Sequence, residues 1–198
     1  MANNTNKIDK LINELCPKGV EFKELGEVCN IADNKRKPVE SSLRVPGKTP
    51  YYGANNIQDY VEGFTHDGDY ILIAEDGSAS LENYSIQYAT GKFWANNHVH
   101  VIKGNNDLNN RFLFYYLKCM NFVLFLSGGA RAKLTKAKML DIKIPLPPLA
   151  IQEEIVKILD NFTELEAELE AELEAELEAR KKQYEYYREQ LLTFKEKV

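Results

Sequence analysis

Residues 163–180 read TELEAELEAELEAELEAR, four successive Glu-Leu-Glu-Ala tetrads from Glu164 to Ala179, just ahead of Lys181 and Lys182. Glu, Leu and Ala are strong helix formers, and neither Gly nor Pro interrupts the chain from Leu149 to Val198. The run predicts one helix of about 45 residues, roughly 65–70 Å long at about 1.5 Å per residue. A domain of about 150 residues does not bury a rod of that length. The helix is a spacer or an assembly surface.

The tetrad also fixes what the rod presents. Four residues at about 100° each advance about 400°, so Leu165, Leu169, Leu173 and Leu177 form a stripe drifting about 40° per repeat. Ala167, Ala171, Ala175 and Ala179 lie nearly opposite, with glutamates on both flanks. Those glutamates stack at i, i+4, and each like-charge pair costs a few tenths of a kcal/mol, roughly. The seam continues upstream as Ile155, Leu159 and Phe162, and downstream as Tyr184, Tyr187, Leu191 and Phe194. One reading is a solvated single helix. A long apolar seam left in water is unfavourable, so pairing with a second helix is the expected state.

The net charge of −5 hides a division. Residues 151–198 hold 7 Lys/Arg against 14 Asp/Glu, and residues 1–150 hold 18 against 16, giving −7 and +2. An acidic helix repels a phosphate backbone, so any nucleic acid is expected on the globular part. Cys16, Cys29 and Cys119 are odd in number, far apart and without CxxC spacing. They predict reduced thiols in a cytoplasmic protein and no zinc site. Met1–Lys10 is polar, predicting no signal peptide. The apolar run Phe112–Leu126 contains Lys118 and Asn121, too short and polar for a membrane span, and reads as a buried helix.

The expected organisation is a globular domain over residues 1–148 and the helix over 149–198. Asn6 is a candidate cap for a short amphipathic helix carrying Ile8, Leu11, Ile12 and Leu15. Val20 to Ile31 has the alternation of one entering strand, and Asp33 to Thr49 is polar and reads as a loop. Short β-like runs follow at Tyr51–Tyr52, Tyr60–Phe64, Tyr70–Ala74, Ser85–Tyr88, Phe93–Trp94 and Val99–Ile102, predicting a strongly curved β-rich domain. Asn110 to Ser127 reads as an internal helix and Gly128 to Lys133 as a mobile basic turn. Thr135 is a candidate cap, Asp141–Leu146 a last strand, and Pro145, Pro147 and Pro148 a stiff hinge. The fold class is α+β.

Enzyme motifs are missing. There is no GxxxxGK[ST] or GxGxxG phosphate cradle, and no Asn/Asp-Pro-Pro-Tyr/Phe sequence of the amino-methyltransferase kind. His98 and His100 are expected on one face of a strand, without the further ligands a metal needs. Asp67, Asp69, Glu75 and Asp76 flank Gly68 and Gly77 and read as turn acids. Asp141-Ile142-Lys143 faintly resembles a nuclease Asp-x-Lys element but is most simply a solvent face. Binding is better supported. Lys35, Arg36, Lys37 and Lys48 form one basic cluster, and Arg131, Lys133, Lys136 and Lys138 another. Between them lie Tyr51, Tyr52, Asn55, Asn56, Trp94, Asn96, Asn97 and His98. Lys and Arg neutralise phosphates or read guanine, and Asn reads adenine.

Three stretches resemble a known family. Ile8 to Phe22, followed by Leu25-Gly26-Glu27-Val28, is similar to the opening of type I restriction–modification specificity (S) subunits. Tyr51 to Ile57 and Tyr70 to Gly77 form the second match. Leu140 to Leu149, then Gln152 and Ile155 to Asp160, resemble the family's junction between a target recognition domain and a conserved helix. The resemblance implies a non-catalytic DNA-reading subunit, and the two basic clusters with the amides between them supply the candidate DNA-binding residues: Lys35, Arg36, Lys37, Lys48, Asn55, Asn56, Asn96, Asn97, Arg131, Lys133 and Lys136. It implies partners too: two modification subunits that use S-adenosylmethionine to methylate adenine, and restriction subunits driven by ATP. A usual S subunit has two recognition domains and two conserved helices, whereas these residues supply one of each. The expectation is a half-subunit that pairs its helix with a second copy in antiparallel fashion. A helical adaptor with a protein-binding globular domain is the alternative, and a small nuclease the second.

Overall fold

The structure, a computed structural model, describes residues 2–128 and 132–194. The chain falls into two units, Met1–Val156 and Lys157–Val198. The first is α+β, as expected. In chain order it runs α1 (Ala2–Leu15), β1 (Phe22–Glu24), α2 (Leu25–Val28), β2 (Cys29–Ile31), β3 (Pro46–Tyr52), β4 (Ile57–Val61), β5 (His66–Asp67), β6 (Tyr70–Ala74), β7 (Ile86–Ala89), β8 (Lys92–Ala95), β9 (Val99–Gly104), α3 (Asn110–Lys118), α4 (Lys136–Leu140) and β10 (Lys143–Pro145). Helix α5 (Leu149–Leu192) begins in this unit and continues through the second.

Sheet order follows from which strands are apolar on both faces. Ile71, Leu72, Ile73 and Ala74 of β6 are all fully buried, which only a central, doubly covered strand allows. It sits inside an antiparallel sheet ordered β2-β9-β6-β7. Period-two alternation sends Ile71 and Ile73 to one core, with Leu113, Leu117, Phe122 and Met139. Leu72 goes to the other, with Phe93, Ala95, Val99 and Val101. The second core is roofed by a mixed sheet ordered β4-β3-β8-β5, in which β3 and β8 run parallel. Helices lie on one face of the middle sheet and a second sheet on the other. Each fully buried Leu or Ile contributes about 1.5–3 kcal/mol.

Several expected elements shift for local reasons. Val20–Ile31 is not one strand: Glu24 and Glu27 form a capping box that inserts the turn α2 between β1 and β2. Asn6 lies inside α1, which starts at Ala2, so it is not the cap. The Asn110–Ser127 helix stops at Lys118, and a 3-10 turn, Phe122–Phe125, follows under an Asn121 side-chain cap. That turn leaves Leu124 83% exposed, so the segment is not internal throughout. Thr135 does cap α4, accepting from the Lys138 N–H.

The packed unit extends two turns into α5. Gln152 is fully buried and bonded three ways: its amide donates to the carbonyls of Pro147 and Asp107, and its Oε1 accepts the Asn109 N–H. One side chain thus ties the start of α5 to the start of α3. Ile155, expected in the pairing seam, instead packs partly on the globular core. No helix among the described residues is long and apolar enough to cross a membrane.

The second unit carries the remainder of α5, whose 44 residues span about 66 Å at about 1.5 Å each. Leu165, Leu169, Leu173 and Leu177 are 55–60% exposed. Phe162, Tyr184, Tyr187 and Leu191 are exposed with them, whereas Leu159 is half-buried.

Candidate nucleic-acid interface

The two basic clusters, about a hundred residues apart in sequence, meet at one carboxylate. Glu75, at the end of β6, accepts Arg36 Nη1 at 2.7 Å on one oxygen and Lys133 Nζ at 2.7 Å on the other. Arg36 also lies 3.4 Å from Asp33 and donates to the Val99 carbonyl at 2.7 Å. Asp33 in turn accepts from His100 Nδ1 at 2.7 Å, and from the Val101 N–H. Burial opposes the charge on both carboxylates. For Asp33 the His100 and Val101 bonds outweigh it, and for Glu75 the Lys133 and Arg36 bonds do; both carboxyls are held below their usual range. Glu75 is therefore no turn acid. It is the clamp that joins the 33–36 turn, the β9 edge and the segment after residue 131.

This clamp sorts the candidate residues. Arg36 is only 17% exposed and Lys133 43%, both with charges committed inside the protein. Asn55 is committed as well: Nδ2 donates to the Gly77 carbonyl and Oδ1 accepts the Ala79 N–H, stapling the β3–β4 turn to the β6–β7 loop. Gly77 permits that loop because its φ is +71°. Asn96 is buried and accepts the His98 N–H. Lys35, Lys37, Lys48, Asn56, Asn97 and Lys136 are exposed, and among the described residues the four lysines make no ion pair. Arg131 lies outside the described residues.

The Lys37 segment is presented on an aromatic floor. Trp94 Nε1 donates to the Lys37 carbonyl at 2.7 Å, and the Tyr51 hydroxyl accepts the Val39 N–H at 3.0 Å. The Lys37 ammonium sits 6.0 Å from the Trp94 ring, and the Arg44 guanidinium 4.2 Å from that of Tyr51. Beside them opens a cavity of about 450 Å³ lined by Lys37, Val39, Arg44, Tyr51 and Trp94. Arg44 escaped the sequence reading because it sits apart from both basic runs. Its place under the loop depends on β3 and β4 pairing.

The two histidines separate. His100 is buried in β9, with Nδ1 on Asp33 and Nε2 on the Leu134 carbonyl. His98 lies in the turn before β9, half-exposed, with Nδ1 on Asp76. They do not share a strand face: His98 precedes β9 and is exposed, whereas His100 is buried within it. Among the described residues no group of three His, Cys, Asp or Glu is placed to hold a metal ion.

The family model for the type I restriction modification DNA specificity domain matches residues 17–179. The chain belongs to this family. It is 66% identical over 200 residues to a putative type I restriction enzyme specificity subunit of Haemophilus influenzae, covering 99% of this chain and 51% of that protein. It is 48% identical over 116 residues to the EcoprrI specificity subunit of Escherichia coli, covering 59% and 28%. The chain thus spans about half the length of the Haemophilus relative, or less of the Escherichia one. The fold is similar to a crystal structure of the type I restriction–modification S subunit from M. genitalium, with a TM-score of 0.66 at 20% identity over 91% of this chain and 53% of that one. A structure from a study of assembly and conformational transition in the type I system gives 0.62 at 21% identity, over 93% and 52%. At these identities the structures speak for the fold alone. The type I specificity family therefore accounts for both the β-rich unit and the long helix after it.

Proposed function

We propose that this chain is a DNA sequence-recognition half-subunit, in which the globular unit reads one half of a bipartite site and the helix joins a second copy. The observation that carries it is the exposed leucine stripe of a type I specificity domain: an apolar seam that none of the described residues covers. Exposed Lys35, Lys37, Lys48 and Lys136 would meet phosphates, and Asn56 and Asn97 the groove. The chain itself would hold no cofactor and catalyse nothing. Modification subunits docked on the helices would bring S-adenosylmethionine, and restriction subunits ATP.

Two identical recognition units related by a two-fold axis read an interrupted inverted repeat. A gel shift with randomised duplex DNA, with and without a modification subunit, followed by sequencing of the bound duplexes, tests this. The expected outcome is one half-site repeated on both strands across a fixed spacer. Duplexes without a common sequence, or an asymmetric bipartite site, would contradict the homodimeric reading.

A further inference from the structure

We infer that His98 reads a base: clamped by Asp76, its ring offers Nε2 to the edge of a base pair in the DNA groove. The inference rests on the DNA-reading role proposed above. Three contacts fix the residue. Its N–H donates to Asn96 Oδ1 at 2.8 Å, its carbonyl accepts the Glu75 N–H at 2.8 Å, and its Nδ1 lies 2.5 Å from Asp76 Oδ1. The Asn96 bond closes the turn on itself, and the Glu75 bond holds it against the end of β6. The carboxylate can only accept, so it places a proton on Nδ1 and sets the plane of the ring.

The other nitrogen is left uncommitted. Among the described residues Nε2 has no hydrogen-bond partner, and the side chain is 49% exposed. His100 shows what a histidine in service of the fold looks like here: 1% exposed, with both nitrogens bonded. A surface ring needs no such clamp to be soluble. Orientation of one outward nitrogen is what a directional contact requires.

The surroundings favour a base over a phosphate. The Asp76 carboxylate is itself 37% exposed, and Glu75 is its neighbour along the chain. Lys133 and Arg36, the cations beside it among the described residues, are both already bonded to Glu75, and Lys133 stands 4.0 Å from Asp76. An approaching phosphate would meet an exposed carboxylate, whereas a base edge is uncharged and offers donors and acceptors to a fixed nitrogen. The place in the fold agrees. Asn97 is the exposed neighbour, and the Asn55 staple brings the β3–β4 turn onto Gly77, next to Asp76.

The test is selection of bound duplexes from a randomised library by the full chain, His98→Ala and Asp76→Asn, each sequenced and titrated against salt. The wild-type arm reports on DNA reading itself: no common sequence there would defeat the parent proposal. Given a wild-type half-site, His98→Ala should lose about tenfold of the preference at one base pair per half-site and keep the rest. Asp76→Asn, which preserves shape and leaves the ring in place, should blunt the same base pair more weakly. It carries the test should His98→Ala fail to fold. Preference retained at every position would overturn the inference. That holds whether affinity is unchanged or falls uniformly with a shallower salt slope, the mark of a phosphate contact.

Discussion

In the globular unit, Asp33 and Glu75 are covered and bonded to Arg36, His100 and Lys133. Along the helix from Lys157, the tetrad glutamates stand in solvent, and the leucines between them are more than half exposed. The first region is completed by its own chain. Charge there meets charge, and a strand such as β6 is covered on both faces. The second region holds its backbone bonds but buries almost nothing. Helix propensity is enough to make a rod, yet a rod this apolar along one stripe is finished only by another surface. Intrachain contacts hold the globular unit, and interchain contacts would hold the assembly.

The largest effect expected from this contrast is on assembly. Replacing Leu165, Leu169, Leu173 and Leu177 together with Gln removes four side chains that each contribute about 1.5–3 kcal/mol when covered. Sedimentation should then report a 22.7 kDa monomer in place of a dimer, with cooperative melting of the globular unit unchanged. A monomeric wild type, or a quadruple variant that still dimerises, would break the comparison.

A smaller effect separates two neighbouring cations. Arg36→Ala takes from Glu75 one of its two cations and from Asp33 a neighbour at 3.4 Å, and should cost about 2–3 kcal/mol in urea melts. Lys37→Ala, next door and exposed, should change stability by less than about 0.5 kcal/mol while lowering DNA affinity and flattening its salt dependence by up to about 0.9 log–log unit. Equal stability losses would mean that the interior and exterior roles have been misassigned.

The smallest effect is in acid, and it falls on the globular unit. Asp33 and Glu75 have carboxyl pKa values lowered in the fold. The stability they contribute is present above the unfolded carboxyl range, about 4, and is lost as pH falls through the lower folded values. Urea melts of the globular unit followed from pH 7 to 3 check the sign.

Much of this was legible in the sequence, for identifiable reasons. The helix was legible because its signal is local: Glu, Leu and Ala in strict repeat, without Gly or Pro. Strand β6 was legible for the same reason, as a short apolar run between turn residues. The α2 turn was hidden because a capping box between Glu24 and Glu27 overrode the alternation around it. The roles of Arg36 and Glu75 were hidden for a different reason. In sequence Arg36 stands in a basic run and Glu75 beside a turn glycine, and only tertiary pairing across 39 residues makes them one clamp. The same holds for Asn55, an amide of base-reading type that the fold spends on stapling Gly77. The environment of His98 is hidden in the sequence because strand alternation places it on one face with His100, whereas β9 begins only at Val99.

The division of labour itself is tested most directly by deleting one tetrad. Removal of Glu172–Ala175 keeps the leucine stripe at i, i+4 and touches no residue of the globular unit. It shortens the helix by about 6 Å and rotates the downstream turns by about 40°, against successive base pairs about 3.4 Å apart along the duplex. The bound duplexes selected by this variant should carry the wild-type half-site with a spacer changed by about one or two base pairs. A wild-type spacer at unchanged affinity, or an altered half-site, would contradict the account.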